Sequence, residues 1–546
     1  VPFSFYFNTS KRYNQSSLST FNFTLLPSVN NADNIYYMKT IKDLKIPLDK
    51  DTELKEIAAR KVGLKPESIK TFNIIKKSID ARKKSDIKFI YSLELSDKFI
   101  PPKEVFFPKA KKSGDRPIVV GSGPAGLFCA LYLSHAGLKP IILERGSKVE
   151  KRIEDVGNFI KTAVLNEQSN IQFGEGGSGT FSDGKLTTMT KSQYRKDILR
   201  LFVKFGAPEE ILYLNKPHIG TDNLIRVLKN IRGEIISLGG EFHFDTLVDD
   251  IIIKDNKALG VRANNKEFIS SHIVLAIGHS ARDTYNMLYN KGVFMEQKEF
   301  SVGFRIEHSQ KLINLSQYGE RFHNHTALGA ADYKFVSHTP IRSVYTFCMC
   351  PGGQVVAAAS QKGMLVTNGM STYARDGKNA NSAILINIKK EDMGSQNPLT
   401  GILKQQEFER KAFLWGGENY MAPVQLVGDF LRGIPSKSIG EVKPSYPIGV
   451  KLSPLHEFYD KSFYQSFCFA IEDIAKKMKY FNMYDAVLTA AETRSSAPLR
   501  ITRDHTFQSV STKNLYPVGE GCGYAGGIMS SAADGVKTAL YIIENS

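Results

Sequence analysis

Gly121, Gly123 and Gly126 stand at a spacing that suits one task, the approach of backbone N–H groups to a phosphate. Within Gly121-Ser122-Gly123-Pro124-Ala125-Gly126, each glycine has its own job. The first permits a tight turn, the second lets the main chain reach a pyrophosphate, and the third allows a helix to pack closely on a sheet. The apolar run 117–120 before them reads as a strand, and 127–135 reads as a helix. The N-terminus of that helix offers free N–H groups and a positive dipole end. A second apolar run, 139–143, ends in Glu144 and Arg145. Glu144 lies about 20 residues into the unit, where a carboxylate accepts hydrogen bonds from ribose hydroxyls. The order strand, glycine turn, helix, strand, acid predicts a site for an adenine dinucleotide.

A second glycine cluster lies near the C-terminus, with Gly519 and Glu520 ending an apolar run and Gly526, Gly527 and Ile528 opening an amphipathic helix. This resembles the second flavin-adenine-dinucleotide motif of the glutathione-reductase-like flavoproteins. The resemblance implies that the acid bonds a ribityl hydroxyl and that the helix N-terminus faces the flavin ring. Many members carry Asp at this acid, and Glu520 is a longer substitute. Helix N–H groups there would stabilise negative charge on a reduced flavin. The expected cofactor is therefore FAD. No second Gly-x-Gly-x-x-Gly with its own strand and helix is present. NAD(P)H is expected only as a transient electron donor.

Other residues group around these two motifs. The loop 173–185 is dense in glycine, and backbone contacts to the cofactor are expected from Gly176, Gly177, Ser178, Gly179 and Thr180. Val248, Ala276 and Gly278 lie at strand ends, where a doubly wound sheet places its ligand. Three side chains are candidates for catalysis. Arg494 carries a planar fork for an anionic substrate, or forms an ion pair with Glu492 or another acid. Lys185, with Asp183 nearby, can reach flavin N5 or a phosphate. His218 is a proton donor or anion contact, or packs near the helix that starts at Thr221. Cys348 and Cys350 read as a redox pair or as two small core residues, with no basic neighbour in sequence to activate them. No metal site is expected.

These residues need elements to position them. The expected fold class is α/β: a Rossmann-like FAD-binding domain, an inserted strand-rich substrate domain and a small N-terminal α+β module. Residues 1–36, rich in Ser, Asn, Thr and Phe, read as a disordered extension. The module spans 37–100, with Asp51 as a helix cap. The FAD-binding domain takes 115–285 and resumes at 486–546, and the substrate domain takes 286–485. An apolar share of 42% and a charged share of 23% fit a globular protein. No run approaches the ~18 apolar residues that span a membrane. Five cysteines are too few for a disulfide framework and suit a reducing compartment, so the location expected is cytoplasmic. If 1–36 is a presequence, the location is an organelle instead. The net charge of +17 suits an anionic small-molecule substrate. Nucleic acid is the less favoured partner, because the lysine clusters lack interleaved aromatics.

Several motifs together resemble a known family. They include 78–84, 121–126, 173–185, 216–222, 275–282, 300–308, 348–353 and 492–496. Their set is similar to the uncharacterised FAD-dependent dehydrogenase family. The resemblance runs from about residue 37 to the end and implies FAD and an oxidoreductase without naming a substrate. The expected function is hydride exchange between an organic substrate and flavin N5. The alternatives are FAD-dependent modification of tRNA and a flavin-binding scaffold without turnover.

Overall fold

The computed structural model describes residues 27–28, 36–111, 114–188 and 192–546. Most of the expected extension 1–36 lies outside the described residues. The chain forms two compact units: residues 1–77 with 89–102, and residues 78–88 with 103–546.

The smaller unit holds β1 (Lys39–Pro47), α1 (Leu54–Lys61), β2 (Thr71–Asp80) and β3 (Lys88–Ser96), with sheet order β1-β3-β2. In central β3, Phe89, Tyr91, Leu93 and Leu95 are buried while the residues between them are half-buried. That is the period-2 pattern of a strand with one face on a core. Asp51 is not the helix cap expected of it. It sits in a 3₁₀ turn, Leu48–Glu53, and pairs with Lys77 at 3.0 Å.

In the larger unit, the nucleotide-binding half begins with β4 (Ile118–Val120), α2 (Pro124–His135), β5 (Ile141–Leu143), α3 (Val149–Thr162), α4 (Arg195–Lys204) and α5 (Thr221–Ser237). It continues with β6 (Glu241–His243), a three-stranded meander β7 (Val248–Lys254), β8 (Lys257–Ala263) and β9 (Lys266–Ile269), then β10 (Ile273–Leu275) and α6 (Arg282–Asn290). The insertion contributes β11 (Phe300–Ser309), α7 (Gln310–Phe322), β12 (Val336–Ser337), β13 (Val344–Cys350) and β14 (Asn379–Ile388). It adds α8 (Thr400–Gly416), β15 (Ala422–Leu426), β16 (Val450–Leu452), α9 (Lys461–Lys477) and β17 (Val487–Glu492). The chain then returns through β18 (Leu515–Pro517) to α10 (Ile528–Glu544).

The five-stranded sheet runs β18-β10-β4-β5-β6, with every neighbouring pair parallel. Strands β4, β10 and β18 are wholly buried, as strands covered on both faces must be. One face carries α2, α4, α5 and α10, and the other carries the meander and α6. Ten consecutive residues of α2, Ala125 to Ser134, are buried, because this helix lies between the sheet and its neighbours. A Cβ at Gly535 of α10 would run into the Ala125 carbonyl, so α10 packs directly on the α2 backbone. The C-terminal helix is thereby fixed beside the first glycine turn.

The insertion is built on a seven-stranded sheet, β12-β13-β14-β11-β17-β15-β16. It is strand-rich, as expected, but α7, α8 and α9 add helices that the sequence pattern had not indicated. Strand β17 lies in this sheet, so the insertion extends past the expected boundary at residue 485. Both halves belong to one compact unit. Among the described residues, no helix is long and apolar enough to cross a membrane.

Candidate active site

The first glycine turn is constrained on one side and open on the other. Gly121 has φ +98, and a Cβ there would strike the Ala276 carbonyl on β10. A Cβ on Gly126 would strike the Gly121 carbonyl. At Gly123 the only heavy atom within 4 Å of such a Cβ is the Gly177 Cα, at 3.9 Å. Gly123 is also the N-cap of α2 and supplies no side-chain cap, so the first N–H groups of the helix are left for another partner.

Glu144 holds this turn to its surroundings. One carboxylate oxygen accepts from the Ser122 N–H and hydroxyl, both at 2.8 Å. The other accepts from the Gly146 and Gly174 N–H groups, both at 3.0 Å. Sequence spacing placed a ribose-binding acid here. In the structure the acid also fastens three backbone segments together. Arg145 lies over the Phe173 ring at 4.2 Å and donates to Asp283 at 2.7 Å.

The glycine loop 173–185 is locked in place. Arg152, on α3 and fully buried, donates to the carbonyls of Asn170, Ile171, Gly174 and Glu175 at 2.8, 2.9, 3.2 and 2.6 Å. It also donates to the Thr180 hydroxyl at 3.2 Å. Glu175 accepts from the Val149 N–H at 2.8 Å and from Arg232 at 2.6 Å. The Gly176 N–H bonds the Ser122 carbonyl at 2.9 Å, and a Cβ at Gly179 would lie 3.1 Å from Ile528. The loop therefore joins the first glycine turn to the start of α10. Arg152 was not legible as a functional residue, since nothing in its helical sequence context signals carbonyl partners farther along the chain.

The second motif completes the site. The Gly519 N–H donates to Asp534 at 2.8 Å, and Asp534 is held bidentately by Arg503 at 2.6 and 3.0 Å. Tyr285 bonds the carbonyls of Gly278 and Gly521 at 3.0 and 2.7 Å, tying the end of β10 to the C-terminal turn. Glu520 accepts from the Gly527 N–H at 3.2 Å. Burial pushes its carboxyl up to about 7, against the pull of that N–H and of Lys298.

These elements line one open groove. Of the expected cofactor residues, Gly121, Gly123, Pro124, Ala125, Glu144 and Arg145 line it. Gly177, Ser178, Val248, Ala276, Gly278 and Glu520 line it too. Ser122, Gly126, Gly176, Gly179, Thr180 and Gly519 stand behind the wall and shape it through the contacts above. Gly526, Gly527 and Ile528 form the start of α10, whose Ser531 reaches the groove. Gln172, Thr246, Leu247, Thr284, Val518 and Ser531 also line it and carry no local sequence signal.

The site suits FAD on its own geometry. A Cβ would meet nothing within 4 Å at Gly278, Gly526 or Gly527, and almost nothing at Gly123. Both α2 and α10 begin without a side-chain cap. Two helix starts without side-chain caps and glycines with open space over them thus stand at this groove, a set of donors that fits the phosphates of a dinucleotide.

The three candidate catalytic side chains lie outside the groove lining, and one needs correction. Arg494 is not a free anion clamp. Its fork meets Glu409 at 3.0 and 2.8 Å, and its remaining nitrogen bonds Ser280 at 2.9 Å and Ser360 at 2.5 Å. Arg282 binds the same Glu409 through two contacts of 2.7 Å. Burial would raise the Glu409 carboxyl, but the two guanidiniums outweigh it and hold it to about 2. The partner is thus an acid other than Glu492, and Arg494 supports the groove wall through Ser280. Ser280's neighbour His279 lines the groove, and burial with the Arg494 and Arg282 charges drives its imidazole to about 3. It is neutral at physiological pH.

Lys185 pairs with Asp183 at 3.0 Å and bonds the Met349 carbonyl. His218 bonds the Tyr373 carbonyl at 3.0 Å and stacks on the Tyr373 ring, and burial lowers its pKa. It packs beside the Thr221 helix start, in line with the structural alternative for it. Lys185 and His218 pair as an isolated β-bridge. Among the described residues, no cluster of His, Cys, Asp and Glu suits a metal ion.

Comparison with known proteins agrees with the site. Residues 299–495 match a family model described as FAD-dependent protein, C-terminal domain-like, and residues 38–96 match a domain of unknown function, DUF8436. A Clostridium beijerinckii protein, described as an uncharacterized protein, is 47% identical over 524 residues, covering 92% of this chain and 98% of its own. Solved structures give distant likenesses. L-proline dehydrogenase from P. horikoshii has a TM-score of 0.33 at 12% identity, over 81% of this chain and 95% of its own. Glycine oxidase from Bacillus cereus has a TM-score of 0.30 at 12% identity, over 79% and 95%. At these values neither bears on substrate or mechanism. The two glycine motifs, the shared groove and the near full-length relative place the chain in the uncharacterised FAD-dependent dehydrogenase family.

Proposed function

We propose that the protein is an FAD-dependent oxidoreductase that exchanges hydride between an organic substrate and flavin N5. The observation that carries this reading is the convergence of the α2 and α10 N-termini, both without side-chain caps, on one groove. Bound FAD would supply the redox centre. The chain's own residues supply binding and charge control. The N–H groups of Gly123, Ala125, Gly126 and Ser178 would serve the pyrophosphate, and the Glu144 carboxylate would serve the ribose. Glu520, with its raised carboxyl, can hold a proton at Oε near neutral pH beside the α10 N-terminus.

The substrate proposed is a small anion. A second cleft in the insertion is lined by Lys311, Arg375, Lys378 and Lys443 against Asp376 and Glu441. The balance of those charges favours a carboxylate or phosphate. NAD(P)H is proposed as a transient donor and the cytoplasm as the location. The net charge of +17 supports a second reading, FAD-dependent action on tRNA.

The test is anaerobic stopped-flow reduction of the holoprotein by NADH, NADPH and a panel of organic acids and amines. Flavin bleaching by one class, saturating with concentration, is expected. Failure of every donor would contradict the oxidoreductase reading. Tight tRNA binding that weakens steeply with salt would favour the second reading.

A further inference from the structure

Cys348 and Cys350 lie at the end of β13, where the register against β14 shifts between Phe347 and Cys350. Cys348 adopts φ +42 in this bulge. The bulge brings the Cys350 thiol back onto its neighbour, where it donates to the Cys348 carbonyl at 3.4 Å. Cys348 keeps partial exposure while Cys350 is buried.

The sequence offered these thiols no basic neighbour, but the fold supplies two. Arg305, fully buried on β11, donates to the Cys348 carbonyl at 2.7 Å and to the Cys350 sulfur at 3.5 Å. Lys185, from the glycine loop, bonds the carbonyl of Met349 between them. Arg375 joins the cluster by pairing with Asp183 at 2.6 Å, and Asp183 also pairs with Lys185 at 3.0 Å. Glu492 pairs with Arg305 at 3.1 Å. Arg305, Lys185 and Arg375 thus stand around the two cysteines with the acids Asp183, Glu492 and Glu307, and Cys348 is the more exposed of the two thiols.

We propose that Cys348 and Cys350 are a redox-active dithiol that reduces small-molecule disulfides, with Cys348 as the attacking thiolate and Cys350 as the resolving thiol. The Cys348 sulfur attacks one sulfur of R–S–S–R, the S–S bond breaks, and RS⁻ leaves. Cys350 then gives up its proton and attacks the Cys348 sulfur, and the second RS⁻ leaves. The protein loses two electrons and gains an internal disulfide. The external disulfide gains those electrons, and the Cys350 proton leaves on a released thiol.

Charge control agrees with the assignment of roles. The Cys350 hydrogen bond lowers the Cys348 thiol well below its ordinary range, burial opposes this, and Lys185 and Arg305 add to the lowering. Cys350 is held well above its ordinary range, as a resolving thiol that keeps its proton until the mixed disulfide forms. The dithiol assignment rests on these residues and is independent of the flavin assignment.

The test uses the full chain after reduction and removal of reductant. Alkylation by iodoacetamide, mapped by mass spectrometry from pH 5 to 9, should modify Cys348 at least about tenfold faster than half-buried Cys468 at pH 6.5. Glutathione disulfide should yield an internal disulfide between 348 and 350, and Cys350→Ser should trap glutathione on Cys348. Lys185→Gln should move the alkylation profile to higher pH. The proposal is overturned if wild-type Cys348 reacts no faster than Cys468 at pH 6.5. It is equally overturned if glutathione disulfide leaves both thiols free.

Discussion

Replacing Gly121 and Gly123 separately by alanine should divide folding from cofactor binding, because the two glycines differ in what surrounds them. At Gly121 the backbone sits at φ +98, where an L side chain costs about 1–2 kcal/mol. The new Cβ also strikes the Ala276 carbonyl, and such overpacking costs about 1–3 kcal/mol. Gly121→Ala should therefore lose about 2–5 kcal/mol of stability with or without FAD. At Gly123, φ is −69 and the nearest atom to a Cβ is 3.9 Å away. Only the N-cap preference is lost, about 0.5–1 kcal/mol. A methyl there intrudes on the expected pyrophosphate position, so FAD affinity should fall by roughly 100-fold, about 2.7 kcal/mol. The assay is denaturant unfolding of cofactor-free protein beside fluorescence titration with FAD. The reasoning is refuted if Gly123→Ala binds FAD like wild type, or if it unfolds as easily as Gly121→Ala.

Two acids should show opposite pH signatures. Glu520 prefers its proton in the folded protein, so its contribution is complete below pH 4.5 and is lost as pH rises through about 7. At about 1.4 kcal/mol per pH unit, this amounts to about 3 kcal/mol. In cofactor-free protein, Glu520→Gln should flatten that decline, leaving the slope from Glu492, which burial also raises to about 7, and from Glu175 and Glu307, which burial also raises. An unchanged slope would contradict the placement of Glu520. Glu409 behaves in reverse: its contribution is present above pH 4.5 and is lost as pH falls through about 2. Glu409→Ala strands Arg282 and Arg494 in the interior and should cost about 3–5 kcal/mol in urea unfolding. A loss under 1 kcal/mol would remove the cluster from its structural role.

What the sequence could reveal depended on distance along the chain. The turn at Gly121–Gly126 was legible because strand, turn and helix are contiguous and each glycine answers a local backbone demand. Glu520 with Gly526–Gly527 was legible for the same reason, and the shared groove follows once β4 and β18 lie in one sheet with β10 between them. For Arg494 the sequence left a clamp and an ion pair both open, because its partner Glu409 is 85 residues away, on α8. Local sequence gives the chemistry of a fork but not the acid that occupies it. For Cys348 and Cys350 the local sequence shows no basic neighbour, since Lys185 and Arg305 approach them only through the glycine loop and the neighbouring strands. Arg152 escaped notice because its partners are main-chain carbonyls, which have no residue signature.

FAD in this groove is directly measurable. Full-length protein purified under native conditions should be yellow, with a band near ~450 nm. Flavin released by heat, measured by chromatography and mass spectrometry, should be FAD at about one per chain, and Gly123→Ala should lower that ratio. A colourless protein that takes up no added FAD would contradict FAD binding in this groove.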